Sequence, residues 1–199
     1  MSDRETVAVY DARAADYADL IGEAGGPKEQ LDSFLKHLPA ASSILDLGCG
    51  PGGAARHFAQ AGHSVVATDA SAAMIDLAQR HAGVTARQET FDDISGTALY
   101  DGVWANFCLL HAQRSDVPRH LRAISTALKP GGIFHIGMKT GDTTERDALG
   151  RRYTFVTHPE LDRLLMDAGL VPFIHWTGSD VGFAGTNDPW IVMQARKDA

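Results

Sequence analysis

The chain is predicted to fold as a doubly wound α/β domain, with about seven mostly parallel strands and helices on both faces of the sheet. Three observations predict it. Strand-like and helix-like patterns alternate along nearly all of the 199 residues, which is the order that builds a parallel sheet. A glycine turn at 48–53 joins an apolar strand to a helix of small residues. The run YDGVWANFCLL (100–110) is almost continuously apolar, as a strand covered on both faces requires.

The elements follow in order. A helical preface occupies 1–40, in which Leu31, Phe34, Leu35 and Leu38 recur at i, i+3, i+4 and i+7 and mark an amphipathic helix ended by Pro39. The first strand carries Ile44, Leu45 and Leu47; Ala55, Phe58, Ala59 and Gly62 then form the packing face of a helix. HSVVATD is the second strand, and Ser71 is placed to cap a helix containing Met74, Leu77 and Ala78. A weaker strand at 84–88 leads to Phe91, Asp92 and Asp93, followed by the fourth strand. Leu121, Ile124 and Leu128 define a helix stopped by Lys129-Pro130-Gly131-Gly132, and IFHIGM is the fifth strand. Thr157 and Glu160 form a capping box ahead of Leu161, Leu164, Leu165 and Ala168, with Gly169 as the stop. LVPFIHW and WIVMQAR are the last two strands. The whole reads as one domain, with 1–40 as preface, 41–138 as a ligand-binding core and 139–199 as an acceptor-side segment.

The glycine turn points to a nucleotide. Gly48, Gly50 and Gly53 lie on a G-x-G-x-x-G spacing, and Asp69 closes the next apolar strand 21 residues after Gly48. Glycines let backbone approach a ligand with no Cβ in the way, and a carboxylate at the next strand end accepts hydrogen bonds from a ribose. The arrangement fits an adenosine-type ligand without specifying which. Composition narrows the remaining classes. A net charge of −7 argues against a nucleic-acid interface, which needs clustered Lys and Arg. No run reaches the roughly 18 apolar residues of a membrane span, and the acidic N-terminal stretch has no apolar core of a signal peptide, so a cytoplasmic protein is expected. Cys49 and Cys108 read as reduced structural thiols, and the nine histidines show no metal-ligand spacing, so no metal is expected.

With these residues in hand, the chain resembles the class I S-adenosylmethionine-dependent methyltransferases over nearly its whole length. LDLGCGPG is similar to that family's first motif, Asp69 to its ribose-binding acid, Asp92-Asp93 to the position beside the adenine, DGVWANFCLLH to its fourth-strand motif and LKPGGIFHIGMK to its fifth-strand entry. GDTTERDALGRRY is similar to a subgroup described as tellurite-resistance-type or small-molecule methyltransferases. The resemblance implies a Rossmann-like sheet ending in an antiparallel strand, an N-terminal helical lid, S-adenosylmethionine as cofactor with S-adenosylhomocysteine as product, and a small-molecule acceptor. It implies that Asp46, Gly48 and Gly50 hold the methionine end, Asp69 both ribose hydroxyls and Asp93, beside Asp92, the adenine amino group. Met74 packs on the adenine or in the core. Trp104, Asn106 and Leu110 fall at or just past the fourth strand's end, where the methyl would emerge. The rival readings are an NAD-dependent oxidoreductase, whose fingerprint shares the glycine spacing, and a non-catalytic S-adenosylmethionine-binding protein. No Tyr-x-x-x-Lys pair and no second domain support the oxidoreductase.

Several side chains carry two readings each. His111 is a general base, through an ordinary pKa near neutrality, or the start of a connection. Tyr10, Ala14 and Tyr17 share one helical face, as a lid over the cofactor or as plain packing. The segment 139–156 is long and crowded with charges, which marks a lid or site, or else a short solvated helix. Within it Arg146, Arg151, Arg152 and Tyr153 bind an anionic acceptor or form a solvated ion-pair network. Trp176 and Trp190 read as core residues.

Overall fold

The structure, a computed structural model, describes residues 3–22 and 24–198. Three helices lead in: α1 (Arg4–Ala12), α2 (Ala14–Ile21) and α3 (Lys28–Lys36). The alternating core follows as β1 (Ser43–Leu47), α4 (Gly53–Gln60), β2 (Ser64–Asp69), α5 (Ala72–Ala78), β3 (Val84–Gln88), β4 (Tyr100–Asn106), α6 (Val117–Ala127) and β5 (Leu128–Lys139). The chain then forms β6 (Thr144–Arg146), β7 (Arg152–Thr154), α7 (His158–Asp167), β8 (Leu170–Val181) and β9 (Asn187–Lys197).

Seven strands make one sheet in the order β3-β2-β1-β4-β5-β9-β8. The first five are parallel, and β9 runs antiparallel to both neighbours. Side chains on successive residues of a strand point to opposite faces, and the two-sided core follows. Ile44 and Trp104 face Phe34 of α3 and Phe58 of α4, while Leu45, Val103 and Ala105 face Leu121, Ile124 and Leu161 of α6 and α7. Burying each such large apolar side chain contributes roughly 1.5–3 kcal/mol. The caps read from the sequence are present: Ser71 Oγ accepts from the Met74 N–H at 3.2 Å, and Thr157 Oγ1 from the Glu160 N–H at 3.3 Å.

Four local expectations are corrected. The preface helix breaks at Arg13, whose φ of −127° and ψ of 27° leave the helical region, so Tyr10 lies on α1 and Tyr17 on α2. The segment 139–156 is neither a bare loop nor a helix: β6 and β7 pair as an antiparallel hairpin outside the main sheet. Lys129-Pro130-Gly131-Gly132 follows the end of α6 at Ala127 but is not a loop: it lies within β5, where the register against β4 shifts between Tyr100 and Gly102. Trp176 and Trp190 are only half-buried and donate to Glu29 and Asp180 at the surface.

The strand order reverses at β1, whose neighbours β2 and β4 are reached by connections on opposite sides. Ligands of open α/β sheets bind in the crevice at the carboxyl ends of the strands at such a point.

Candidate functional site

A cleft of two lobes opens there. One lobe, about 710 Å³, lies between α1 and the ends of β1 and β2 and is lined by Tyr10, Leu47, Asp69, Met74, Thr90 and Phe91 among others. The second, about 720 Å³, runs along the glycine turn past Asp46, Gly25, Gly26 and Trp104. Tyr17, Gly48, Gly50, Asn106 and Phe107 line both.

The turn is built for close approach. Gly48 has φ +63°, and a Cβ there would lie 2.3 Å from the Cβ of Cys108. Gly50 (φ +53°) donates its N–H to Asp69 Oδ2 at 3.0 Å, and the Ser71 N–H reaches Oδ1 at 2.9 Å. Burial raises the Asp69 pKa, with those two backbone donors opposing. The carboxylate lies on the wall of the cleft, where it can accept from a ribose hydroxyl. Asp46 is 2% exposed and accepts from the Ala55 N–H at 3.0 Å. Burial lifts its pKa to about 7 against that hydrogen bond, with Asp69 adding to the rise. A buried carboxyl at the wall of a cleft is suited to a cationic ligand group. These features fit S-adenosylmethionine at both its ends.

The N-terminal helices cover this cleft. Asp11 accepts from Ser71 Oγ at 2.6 Å and from the Ala73 N–H at 3.2 Å, docking α1 on the start of α5. Asp3 caps α1 through Thr6 and is held by Arg146 (2.8 Å) and Arg152 (3.3 Å) of the hairpin; its pKa is well below the usual carboxylate range because Arg146 binds it. Thr6 Oγ1 donates to Asp3 and accepts from the Arg152 N–H. Tyr10 and Tyr17 meet edge to face with ring centroids 5.2 Å apart.

Arg146, Arg151 and Arg152 therefore do not present free cations to an anion. Arg146 and Arg152 are bound to Asp3, and Arg151, 2% exposed, is paired with Asp147 at 2.7 Å and donates to the Tyr10 hydroxyl at 2.8 Å. An anionic acceptor bound by these residues would have to displace Asp3 or Asp147 from them. Tyr153 is buried beneath Lys139, whose ammonium lies 4.0 Å from the ring centre, and Leu110 lies in the core. Neither is among the described residues lining the cleft.

His111 is also placed otherwise than a free base would be. Its Nδ1 lies 2.6 Å from the Arg152 carbonyl and so carries the proton, leaving Nε2 to accept from the Tyr10 hydroxyl at 2.9 Å. Burial lowers its pKa to about 4. The imidazole is neutral and lines the cleft beside Tyr10. Asp93 accepts twice from Thr90 at 2.8 Å and caps its own turn; Asp92 pairs with Arg119 and lines a shallow outer hollow with Arg4, Ala8 and Asp11. Glu89, Thr90 and Phe91 line the main lobe instead. Glu89 and Thr90, with Thr6 and Asp11, carry no sequence signature of their own.

A family model described as a methyltransferase domain matches residues 44–132. A malonyl-[acyl-carrier protein] O-methyltransferase of Pectobacterium atrosepticum is 30% identical over 181 residues, covering 86% of this chain and 69% of that protein. The chain belongs to the class I S-adenosylmethionine-dependent methyltransferases. Within this methyltransferase family, the cypemycin N-terminal methyltransferase of a Streptomyces species is 31% identical over 158 residues, 76% of this chain and 64% of the relative. The chain spans about half to two thirds of the length of several curated relatives it matches. The solved 1,6-didemethyltoxoflavin-N1-methyltransferase of Burkholderia thailandensis, with 1,6-didemethyltoxoflavin and S-adenosylhomocysteine bound, superposes with a TM-score of 0.81 at 26% identity, over 98% of this chain and 88% of that one. The overall fold is thus common to both chains.

Proposed function

We propose that this chain transfers a methyl group from S-adenosylmethionine to a small-molecule acceptor by in-line displacement. The observation that carries the reading is the line of Asp46, the Cβ-free Gly48 and Gly50, and Asp69 along one covered cleft. When bound, the cofactor supplies a methyl already activated on a sulfonium and a neutral leaving group. The work left to the protein is to bind, orient and exclude water.

Asp46 holds the methionine ammonium and Asp69 the two ribose hydroxyls. Phe91 and Met74 sandwich the adenine region, with Glu89 and Thr90 at its polar edge in place of Asp93, whose carboxylate is used by its own turn. Tyr17 and Asn106, lining both lobes, mark the point where the methyl meets its acceptor. Tyr10 and His111 form the nearest proton-handling pair. In the arrangement seen, the neutral imidazole accepts the Tyr10 proton rather than an acceptor's. The hairpin and α1, joined by Asp3 with Arg146 and Arg152, close the cleft.

A small-molecule acceptor is supported by the Burkholderia thailandensis relative, whose bound acceptor is a small molecule, and by the net charge of −7, which disfavours nucleic acid. The described residues contain no helix long and apolar enough to cross a membrane, and two free cysteines, one of them buried, suit a reducing cytoplasm. The test is transfer of labelled methyl from S-adenosylmethionine to a panel of hydroxylated, amino and thiol small molecules. Label reaching one class supports the proposal. A protein that binds the cofactor and labels none across the panel would contradict the catalytic reading.

A further inference from the structure

Two polar side chains, His135 and Gln194, are sealed between β4, β5, β9 and α3. His135 and Gln194 are 0% exposed. They are paired across β5 and β9, and His135 faces Trp104 across β4 and β5. The Trp104 and His135 rings stack with centroids 3.4 Å apart and planes 12° apart. Buried polar groups persist where their hydrogen bonds are made, and here every bond has a defined direction.

The direction is set by one backbone carbonyl. Gln30 C=O can only accept, so the Gln194 atom 2.9 Å from it is the amide nitrogen, Nε2. Gln194 Oε1 then receives the Ser33 hydroxyl at 2.7 Å. The same Nε2 faces His135 Nδ1 at 3.4 Å, so Nδ1 presents its lone pair. A buried neutral imidazole carries one proton, which is therefore on Nε2. That N–H donates to Asn106 Oδ1 at 3.2 Å. Gly137 leaves room for the carbonyl, since a Cβ there would lie 2.7 Å from Oδ1. The other half of the amide, Nδ2, turns away from β5 toward Gly26, where a Cβ would lie 3.8 Å from it, on the wall of the cleft.

We propose that His135 acts as a positioning residue that locks Asn106 as a hydrogen-bond donor into the cleft. The site thereby selects acceptors with a lone-pair atom, such as a carbonyl oxygen, ring nitrogen or oxyanion, beside the atom to be methylated. The inference rests on the methyltransferase reading. A site that donates a hydrogen bond discriminates strongly against an analogue that cannot accept it, because its own polar group is then left unpaired. Acceptors whose neighbouring group is apolar are disfavoured for the same reason.

The test pairs isosteric probes with variants, in the presence of saturating S-adenosylhomocysteine for binding or S-adenosylmethionine for transfer. The probes are 8-hydroxyquinoline against 1-naphthol and 2-aminopyridine against aniline. The wild type should favour the first member of each pair at least tenfold in affinity or kcat/KM. Asn106→Asp and His135→Phe should each abolish the preference while S-adenosylhomocysteine affinity stays within threefold. His135→Gln, which returns an amide N–H to Asn106, should recover part of it. Nitrogen-15 spectra of labelled histidine should show His135 protonated on Nε2 in the wild type and in Asn106→Asp, which distinguishes an altered site from an altered fold. Equal treatment of both probe pairs, including binding of none, overturns the proposal, as does a preference that survives both variants or an His135 protonated on Nδ1. A large loss of S-adenosylhomocysteine affinity in Asn106→Asp assigns the donor to the cofactor and also overturns it. Failure of the wild type to bind S-adenosylhomocysteine refutes the methyltransferase reading itself.

Discussion

Binding of S-adenosylhomocysteine should weaken steeply as pH falls below 7, and Asp46 is the reason. Burial lifts this carboxyl to about 7 in the free protein. At pH 8 it is mostly ionised and ready for the ligand's ammonium, whereas at pH 5 roughly 99 of 100 molecules hold it protonated. A bound cation favours the carboxylate, so binding at low pH must expel a proton, and affinity rises with pH until about 7 and then levels off. Two pH units below the pKa correspond to about 2.7 kcal/mol, or roughly a hundredfold in Kd between pH 8 and pH 5. The sign is opposite for the stability of the free protein. A carboxyl raised above its unfolded value loses stability as pH rises from about 4 to 7, so the ligand-induced rise in Tm should be larger at pH 8 than at pH 5. Calorimetry at pH 5, 6, 7 and 8, repeated in buffers of different ionisation enthalpy, should find close to one proton released per ligand at pH 6. Asp46→Asn should flatten the profile. A wild-type Kd constant from pH 5 to pH 8 refutes the assignment of Asp46 to the ammonium.

Asp69→Ala should weaken S-adenosylhomocysteine several-fold or more in titration, because two hydrogen bonds to a charged acceptor are lost at roughly 1.5–3 kcal/mol each before water compensates; an unchanged Kd would move the ribose elsewhere. Amide exchange across 7–21 should slow when S-adenosylhomocysteine binds, and identical protection with and without ligand would mean that α1 and α2 are fixed packing rather than a cover. Arg146→Ala and Asp3→Ala should both speed that exchange, Asp3→Ala the more, since it removes the α1 cap and the Arg152 contact as well as the Arg146 pair. If Arg146→Ala instead slows turnover with exchange unaltered, the guanidinium serves the acceptor and not the cover. The Asp3 contact holds at neutral pH and is lost only in strong acid, because its pKa is depressed by Arg146.

What could be read from the sequence was local or periodic. The glycine turn, Asp69, the Ser71 cap and the Thr157 box depend on residues a few positions apart, and the apolar runs of β1, β4 and β5 are set by burial on both faces. What escaped depends on distant partners. Arg146 and Arg152 look like free charges until Asp3, more than 140 residues earlier in the chain, is brought against them. The hairpin β6–β7 is charged on exposed positions, so no alternation of apolar residues announces it. His111 reads as a free base only until its Nδ1–H is seen to donate to the Arg152 carbonyl and its Nε2 to accept from the Tyr10 hydroxyl. One further signal is present in the sequence: His135 and Gln194 are polar residues in the middle of the apolar runs IFHIGM and WIVMQAR. A buried polar group needs a partner, and two such residues in neighbouring strands point to each other and, through β4, to Asn106.

The most direct measurement of the central claim is calorimetric titration of the purified protein with S-adenosylmethionine, S-adenosylhomocysteine and NAD. The cleft of Asp46, Gly48, Gly50 and Asp69 predicts saturable binding of both sulfur ligands at one site per chain, competitive with each other, and none of NAD. Saturable binding of NAD with neither sulfur ligand taken up would contradict it.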